Sequence, residues 1–145
     1  MGTTRLNMNG ERLCSMAKQK FSALKPQGRV LVIDDEPEIC HFAANLVKEL
    51  GFEVITASDA AFVYLHELKD SDIIFIDIAM PGMDGMQILE VLSRRNAKCG
   101  IVLMGHSYEE QAEAEAMAKE RGLRLIGVLN KPFRLLEVQC VLQNV

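Results

Sequence analysis

Three acidic residues in a row, Asp34, Asp35 and Glu36, follow the apolar run Val30–Ile33. A single aspartate, Asp77, follows Ile73–Ile76, and Asn130, Lys131 and Pro132 follow Leu125–Leu129. If these runs are neighbouring strands, three aspartates and one lysine share one edge of a sheet. Clustered carboxylates repel one another, so they need a cation or must hold protons. Carboxylate oxygens around an open position suit Mg²⁺, a hard ion that keeps several waters and shares a phosphate. A lysine opposite offers a point charge for a phosphoryl oxygen. Asp77, facing such a metal from the end of a buried strand, is then a candidate nucleophile that takes a phosphoryl group as an acyl phosphate. One such acid alone does no more than solvate a strand end. The set of them points to chemistry.

That edge exists only if strands and helices alternate, and the patterning predicts that they do. Val30–Ile33 is short, apolar and β-branched, as a fully buried strand is. Pro37 suits the first turn of a helix whose apolar stripe is Ile39, Phe42, Ala43, Leu46, Val47 and Leu50, with Gly51 placed to end it. Phe52–Thr56 predicts a second strand. Ser58 or Asp59 can cap a helix carrying Ala61, Phe62, Leu65 and Leu68. Ile73–Ile76 is a third strand, followed by a Pro–Gly-rich loop and a helix over Met86–Arg95 with Leu89 and Leu92 inward. Ile101–Met104 is the fourth strand. Ser107 and Glu110 form a capping box before an Ala- and Glu-rich stretch that ends at Gly122. Leu125–Leu129 is the fifth strand and Leu135–Val145 the last helix. Five such units predict an α/β fold, a doubly wound, five-stranded parallel sheet in three layers. Ligands bind such sheets beyond the carboxyl ends of the strands, where the strand order reverses.

The 145 residues are 49% hydrophobic and 25% charged, one domain's worth of chain that is neither disordered nor low in complexity. No apolar run reaches the roughly 20 residues that a membrane helix needs. The start lacks the apolar core and cleavage site of a secretory signal, so a cytoplasmic location is expected. The net charge of −4 conceals a split: residues 1–29 hold six basic residues against Glu11, and residues 30–145 hold the other ten against 19 acidic ones. An acidic bulk argues against nucleic-acid binding by the folded part. Residues 1–28 read as a basic N-terminal extension with a short amphipathic helix over Glu11–Leu24 (Leu13, Met16, Ala17, Phe21, Leu24). Pro26 and Gly28 then break the chain, and residues 29–145 are the domain. Cys14, Cys40, Cys99 and Cys140 show no ligand spacing; the last three are expected as small buried thiols. His41, His66 and His106 form no metal set, and His106 lies nearest the mouth of the acidic edge. Met80, Met83 and Met86 are expected to pack the loop after Asp77, where Gly82 and Gly85 read as turn residues.

VLVIDDEPEI over residues 30–39, IIFIDIAMPGMDG over 73–85 and LNKPF over 129–133 resemble the marks of two-component response-regulator receiver domains. The resemblance covers nearly everything but the leader. It implies the flavodoxin-like receiver fold, with Asp77 as phosphoacceptor loaded from a sensor histidine kinase or a phosphotransfer protein. It further implies Mg²⁺ held by Asp35, Asp77 and the backbone carbonyl of Ala79, with Asp34 acting through a bound water. Lys131 would pair with Asp77 and then with the phosphoryl group, and Lys131–Pro132 would be a cis peptide. Met80, Pro81 and Gly85 match the family's loop after the acceptor. Such a module is no enzyme beyond its own phosphorylation and dephosphorylation. Its output would go to an effector protein or to a domain outside this chain, with a homodimer among the assemblies allowed and no membrane partner.

The pattern departs from the family at its read-out. There the fourth strand ends in Ser or Thr, whose hydroxyl grips the phosphoryl oxygen; here the position is Met104 or Gly105, and Ser107 beyond it reads as a helix cap. The fifth-strand position three before the lysine, often aromatic, is Val128. Losing one charge-assisted contact costs the active state roughly 1.5–3 kcal/mol of its preference. Two readings follow: a receiver whose phosphorylation is read differently, or a pseudo-receiver that binds proteins independently of phosphorylation. A phosphatase of the haloacid-dehalogenase type also uses a strand-end aspartate with Mg²⁺, but it wants a second aspartate where Ala79 stands.

Overall fold

The computed structural model describes residues 28–57, 68–79 and 85–144. The expected helices over Glu11–Leu24 and after Ser58 lie outside these residues, as do Pro26, Met80–Met83, Cys14 and His66. Among the described residues five strands form: β1 Arg29–Ile33, β2 Glu53–Ala57, β3 Ile73–Asp77, β4 Gly100–Gly105 and β5 Arg124–Asn130. The helices among the described residues are α1 Pro37–Glu49, α2 Gly85–Arg94, α3 Tyr108–Glu120 and α4 Leu135–Leu142. Every strand pairing is parallel and the order is β2-β1-β3-β4-β5, so it reverses between β1 and β3.

The pleat sends alternate side chains to opposite faces. Val32, Phe75, Val102 and Leu129 pack under α1 and α4, whereas Ile33, Ile76 and Leu103 pack under α2 and α3. Both faces are covered, which is why β3 and β4 are buried at every position and read as unbroken apolar runs. Each such Ile or Leu contributes about 1.5–3 kcal/mol by burial. The edge strand β5 mixes buried and exposed positions, and no residue of β2 is more than partly buried. β2 begins at Glu53, one residue later than expected, with Phe52 buried just ahead of it.

The helix ends follow their local chemistry. Pro37 opens α1, and the Ser107 hydroxyl accepts from the Glu110 amide at 3.4 Å to open α3. A cap not foreseen in the sequence opens α4, where Glu137 Oε1 accepts from the Arg134 amide at 3.0 Å. α4 stops at Leu142 rather than Val145. Two expectations for side chains need correction. Phe42 does not join the inward stripe of α1; Cys40, Ala43, Ala44 and Val47 do, and Phe42 lies 44% exposed, its ring 5.7 Å from that of Phe133. Cys140 is exposed, because Val138, Val141 and Leu142 form the buried line of α4.

At the opposite edge from the acids, Arg29 Nη2 meets Asp72 Oδ2 at 2.8 Å, and the same oxygen accepts the Lys69 amide at 2.9 Å. Burial opposes the charge on Asp72, but the Arg29 and Lys69 hydrogen bonds outweigh it and hold the carboxyl below its ordinary pKa. This clamp joins the start of β1 to the start of β3.

Candidate functional site

Ile33 pairs with Ile76, so the residues that follow, Asp34 and Asp77, stand side by side where the strand order reverses. Lys131 reaches the same edge because its amide donates to the Gly105 carbonyl at 2.9 Å, continuing the β4–β5 pairing. The Lys131–Pro132 peptide is cis. Lys131 Nζ lies 2.6 Å from Asp34 Oδ2, 3.3 Å from Asp77 Oδ2 and 3.4 Å from Glu36 Oε1. Asp34 Oδ1 accepts from the Glu36 amide at 2.9 Å, and Asp77 Oδ1 from the Ala79 amide at 3.2 Å. The 2.6 Å ion pair with Lys131 gives Asp34 Oδ2 its charge partner in the buried edge.

Asp34 and Asp77 are buried, while Asp35 and Glu36 face solvent; one oxygen from each of the four lies within 4.8 Å of the others. Burial, and after it the charge of Asp34, push Asp77 up to about 7, with Lys131 and the Ala79 amide working against them. Burial also works against the charge on Lys131, but Asp34 and Asp77 outweigh it and raise its pKa. The Cys40 thiol donates to the Asp34 carbonyl oxygen at 3.2 Å, and burial, then Asp34, raise its pKa. Among the described residues, one ammonium against four carboxylates leaves the edge short of positive charge. The donors are all carboxylate oxygens, gathered within 4.8 Å of one another. A hard divalent cation fits that set.

Glu36 was not among the ligand candidates; its place directly after the two aspartates was the signal. His106 does sit at the mouth, with Nε2 3.8 Å from Glu36 Oε1, whereas His41 is exposed on α1.

Residues 30–143 match the family described as the response regulator receiver domain. The chain belongs to that family. Among curated relatives, Protein PilG of Pseudomonas aeruginosa is 41% identical over 111 residues, covering 72% of this chain and 77% of PilG. The nitrogen assimilation regulatory protein NtrX of Azorhizobium caulinodans is 32% identical over 109 residues, 72% of this chain but only 23% of NtrX. This receiver thus spans less than a quarter of that relative's length. A solved response regulator from Colwellia psychrerythraea superposes with a TM-score of 0.71 at 26% identity, covering 81% of this chain and 94% of the other. The receiver is a two-component signalling module.

The pleat decides between Met104 and Gly105. Asp77 follows Ile73 and Phe75 in parity, so it belongs to the face under α1 and α4; Met104 is its register partner and shares that face with Val102. Gly105 points the other way, where a Cβ would come 3.2 Å from Ile78 Cδ1. The position beside the acceptor therefore carries a buried thioether. Val128 is partly buried on the face under α2 and α3.

Gly85 does a different job from the turn expected of it. It is the first residue of α2, its amide donates to the Ile78 carbonyl at 2.9 Å, and a Cβ there would stand 2.8 Å from Ile78 Cα and 2.9 Å from the Asp77 carbonyl oxygen. Both atoms are backbone and cannot swing aside. Gly85→Ala should therefore cost about 1–3 kcal/mol in urea unfolding by prising α2 from the acceptor strand. A loss below about 0.5 kcal/mol, the scatter of ordinary surface substitutions, would show that the approach is not tight.

Proposed function

We propose that this receiver accepts a phosphoryl group at Asp77 from a phosphohistidine on a sensor histidine kinase or a phosphotransfer protein. The observation that carries the reading is the setting of Asp77: a buried carboxyl at the strand-order reversal, with Oδ1 tied to the Ala79 amide and Oδ2 beside Lys131. A carboxylate oxygen of Asp77 attacks phosphorus, the P–N bond breaks, and the imidazole leaves with that electron pair and takes up a proton. The product is an acyl phosphate on Asp77. Lys131 supports the carboxylate before transfer and turns to a phosphoryl oxygen after it. Asp34, Asp35 and Asp77, with the Ala79 carbonyl, would hold Mg²⁺, which neutralises charge on the transferring group. Glu36 stands close enough to share in that cation's field. Output runs to an effector protein or to a domain outside this chain.

Incubation with acetyl phosphate and Mg²⁺ should add one phosphoryl group to the full chain, and Asp77→Asn should take none. Intact-mass spectrometry reads both. One observation favours a second reading: Met104, fully buried beside Asp77, supplies no hydroxyl to register the added charge. A pseudo-receiver that binds partners without phosphorylation would stay unmodified under conditions that label a control receiver.

A further inference from the structure

We propose that Gln111 couples the acceptor pocket to α3 through the carbonyl of Gly105, taking over the task for which a strand-end hydroxyl is missing. The proposal rests on phosphorylation at Asp77 for its use, but not for its geometry. Gln111 is a polar residue in the inner line of α3, followed by Ala114 and Ala118, and it is only 5% exposed. Burying an amide there is costly unless it is hydrogen-bonded. Its Nε2 donates to the Gly105 carbonyl at 2.7 Å, and the same oxygen accepts the Lys131 amide at 2.9 Å. A carbonyl has two lone pairs; here one is held by the helix and the other by the residue whose ammonium sits between Asp34 and Asp77.

The preceding carbonyl completes the link. Met104 accepts from the amide of Ile78, the residue after the acceptor, at 2.9 Å. The last two carbonyls of β4 are thus anchored to the neighbours of Asp77 and Lys131, and Gln111 grips the second of them. The glycine at 105 belongs to the same device, because a Cβ there would press on Gln111 Cγ at 3.3 Å and Nε2 at 3.4 Å. When Lys131 turns from Asp34 to a phosphoryl oxygen, its backbone and the end of β4 move together, and α3 follows at its first turn. Coupling of this kind needs a continuous physical connection, and three hydrogen bonds supply one. β5 beyond its last residues and α4 are not on it.

Amide hydrogen exchange of the full chain, followed by NMR, tests the link in Gln111→Met, which keeps the length and helix preference of the side chain, with Gln111→Leu as a second apolar replacement. Without any phosphoryl mimic, the Lys131 amide should exchange about tenfold faster relative to the Leu129 amide than in the wild type, the effect of one hydrogen bond. With beryllofluoride and Mg²⁺, wild-type residues 105–114 should change protection while residues 135–142 do not. In Gln111→Met the change should stop short of residue 108, although acetyl phosphate still adds one phosphoryl group. An unchanged ratio of Lys131 to Leu129 exchange overturns the link, and so does an α3 response that survives the substitution. A wild type that takes up neither mimic nor phosphoryl overturns the reading of Asp77 instead, and the ratio in the unloaded protein still decides the link.

Discussion

Lys131→Met should lower the stability of this receiver by about 3–5 kcal/mol at pH 8, the penalty for stripping a buried charge cluster of its counter-ion. Lys131 Nζ, with its side chain 1% exposed, is within 3.4 Å of Asp34, Asp77 and Glu36. Methionine fills nearly the same volume, so the loss reports charge rather than a cavity. Two carboxylates are then left buried against each other, and the one already poised near 7, Asp77, takes up a proton first. The deficit should therefore shrink as the pH is lowered towards 5. Millimolar Mg²⁺ should recover part of it at pH 8, since a cation that binds only the folded state stabilises it by mass action. Urea unfolding at both pH values measures this. A loss under about 1 kcal/mol at pH 8, the value of a surface pair, would mean that the lysine is not the cluster's counter-ion.

Asp77→Asn should act in the opposite direction. Burial and Asp34 raise Asp77 from 3.8 to about 7, so between those values the unfolded chain is ionised there while the folded protein keeps a proton. Folding takes up a proton across that window. Stability is accordingly greatest at its acid end, falls as the pH rises through it, and levels off above about 7. The asparagine variant carries no such penalty. It should equal the wild type near pH 4 and exceed it by about 2–4 kcal/mol at pH 8, the span that two to three pKa units represent. The acid-side loss that comes from Asp72, whose carboxyl is held low, is common to both proteins and cancels in the difference. Mg²⁺ must be excluded from the measurement, because it would favour the ionised wild-type carboxylate. A difference that stays flat with pH would show that Asp77 titrates as an ordinary surface acid.

The two experiments bracket the same electrostatic arrangement from its positive and negative sides. The receiver holds an acid whose ionised form burial and Asp34 disfavour, and a cation at the edge would favour that form. An isolated carboxylate in water would be ionised at neutral pH; here readiness to react is tied to what else occupies the edge. That coupling is the physical content of the proposed function.

The sequence by itself determined the five strands, the parallel sheet and the edge where chemistry gathers. β-branched apolar runs as short as Val30–Ile33 and Ile73–Ile76 stabilise little except a buried strand, and the polar residues directly after them had to emerge together once the strands paired in parallel. Asp34, Asp35, Asp77 and Lys131 were legible for that reason, and Ser107 as a cap because its partner is three residues away. Other features depend on distances between segments far apart in the chain, on which local pattern is silent. The partnership of Gln111 with Gly105 could not be read from a run of Glu and Ala, since it depends on how α3 is set against the end of β4. The role of Gly85 was hidden too, because a close approach to the Asp77–Ile78 backbone leaves no mark on the loop's composition. Phe42 fitted the helical stripe by spacing alone, yet the rotation of α1 on the sheet placed Cys40 and Ala44 inward and left it at the rim. The choice between Met104 and Gly105 turned on the pleat, because one residue of register reverses which face a side chain meets. Short-range chemistry writes itself into neighbouring residues, and so the elements and their strand-end charges were readable in advance. Helix rotation, strand register and close backbone contact arise only when the layers pack, and only the tertiary structure decided them.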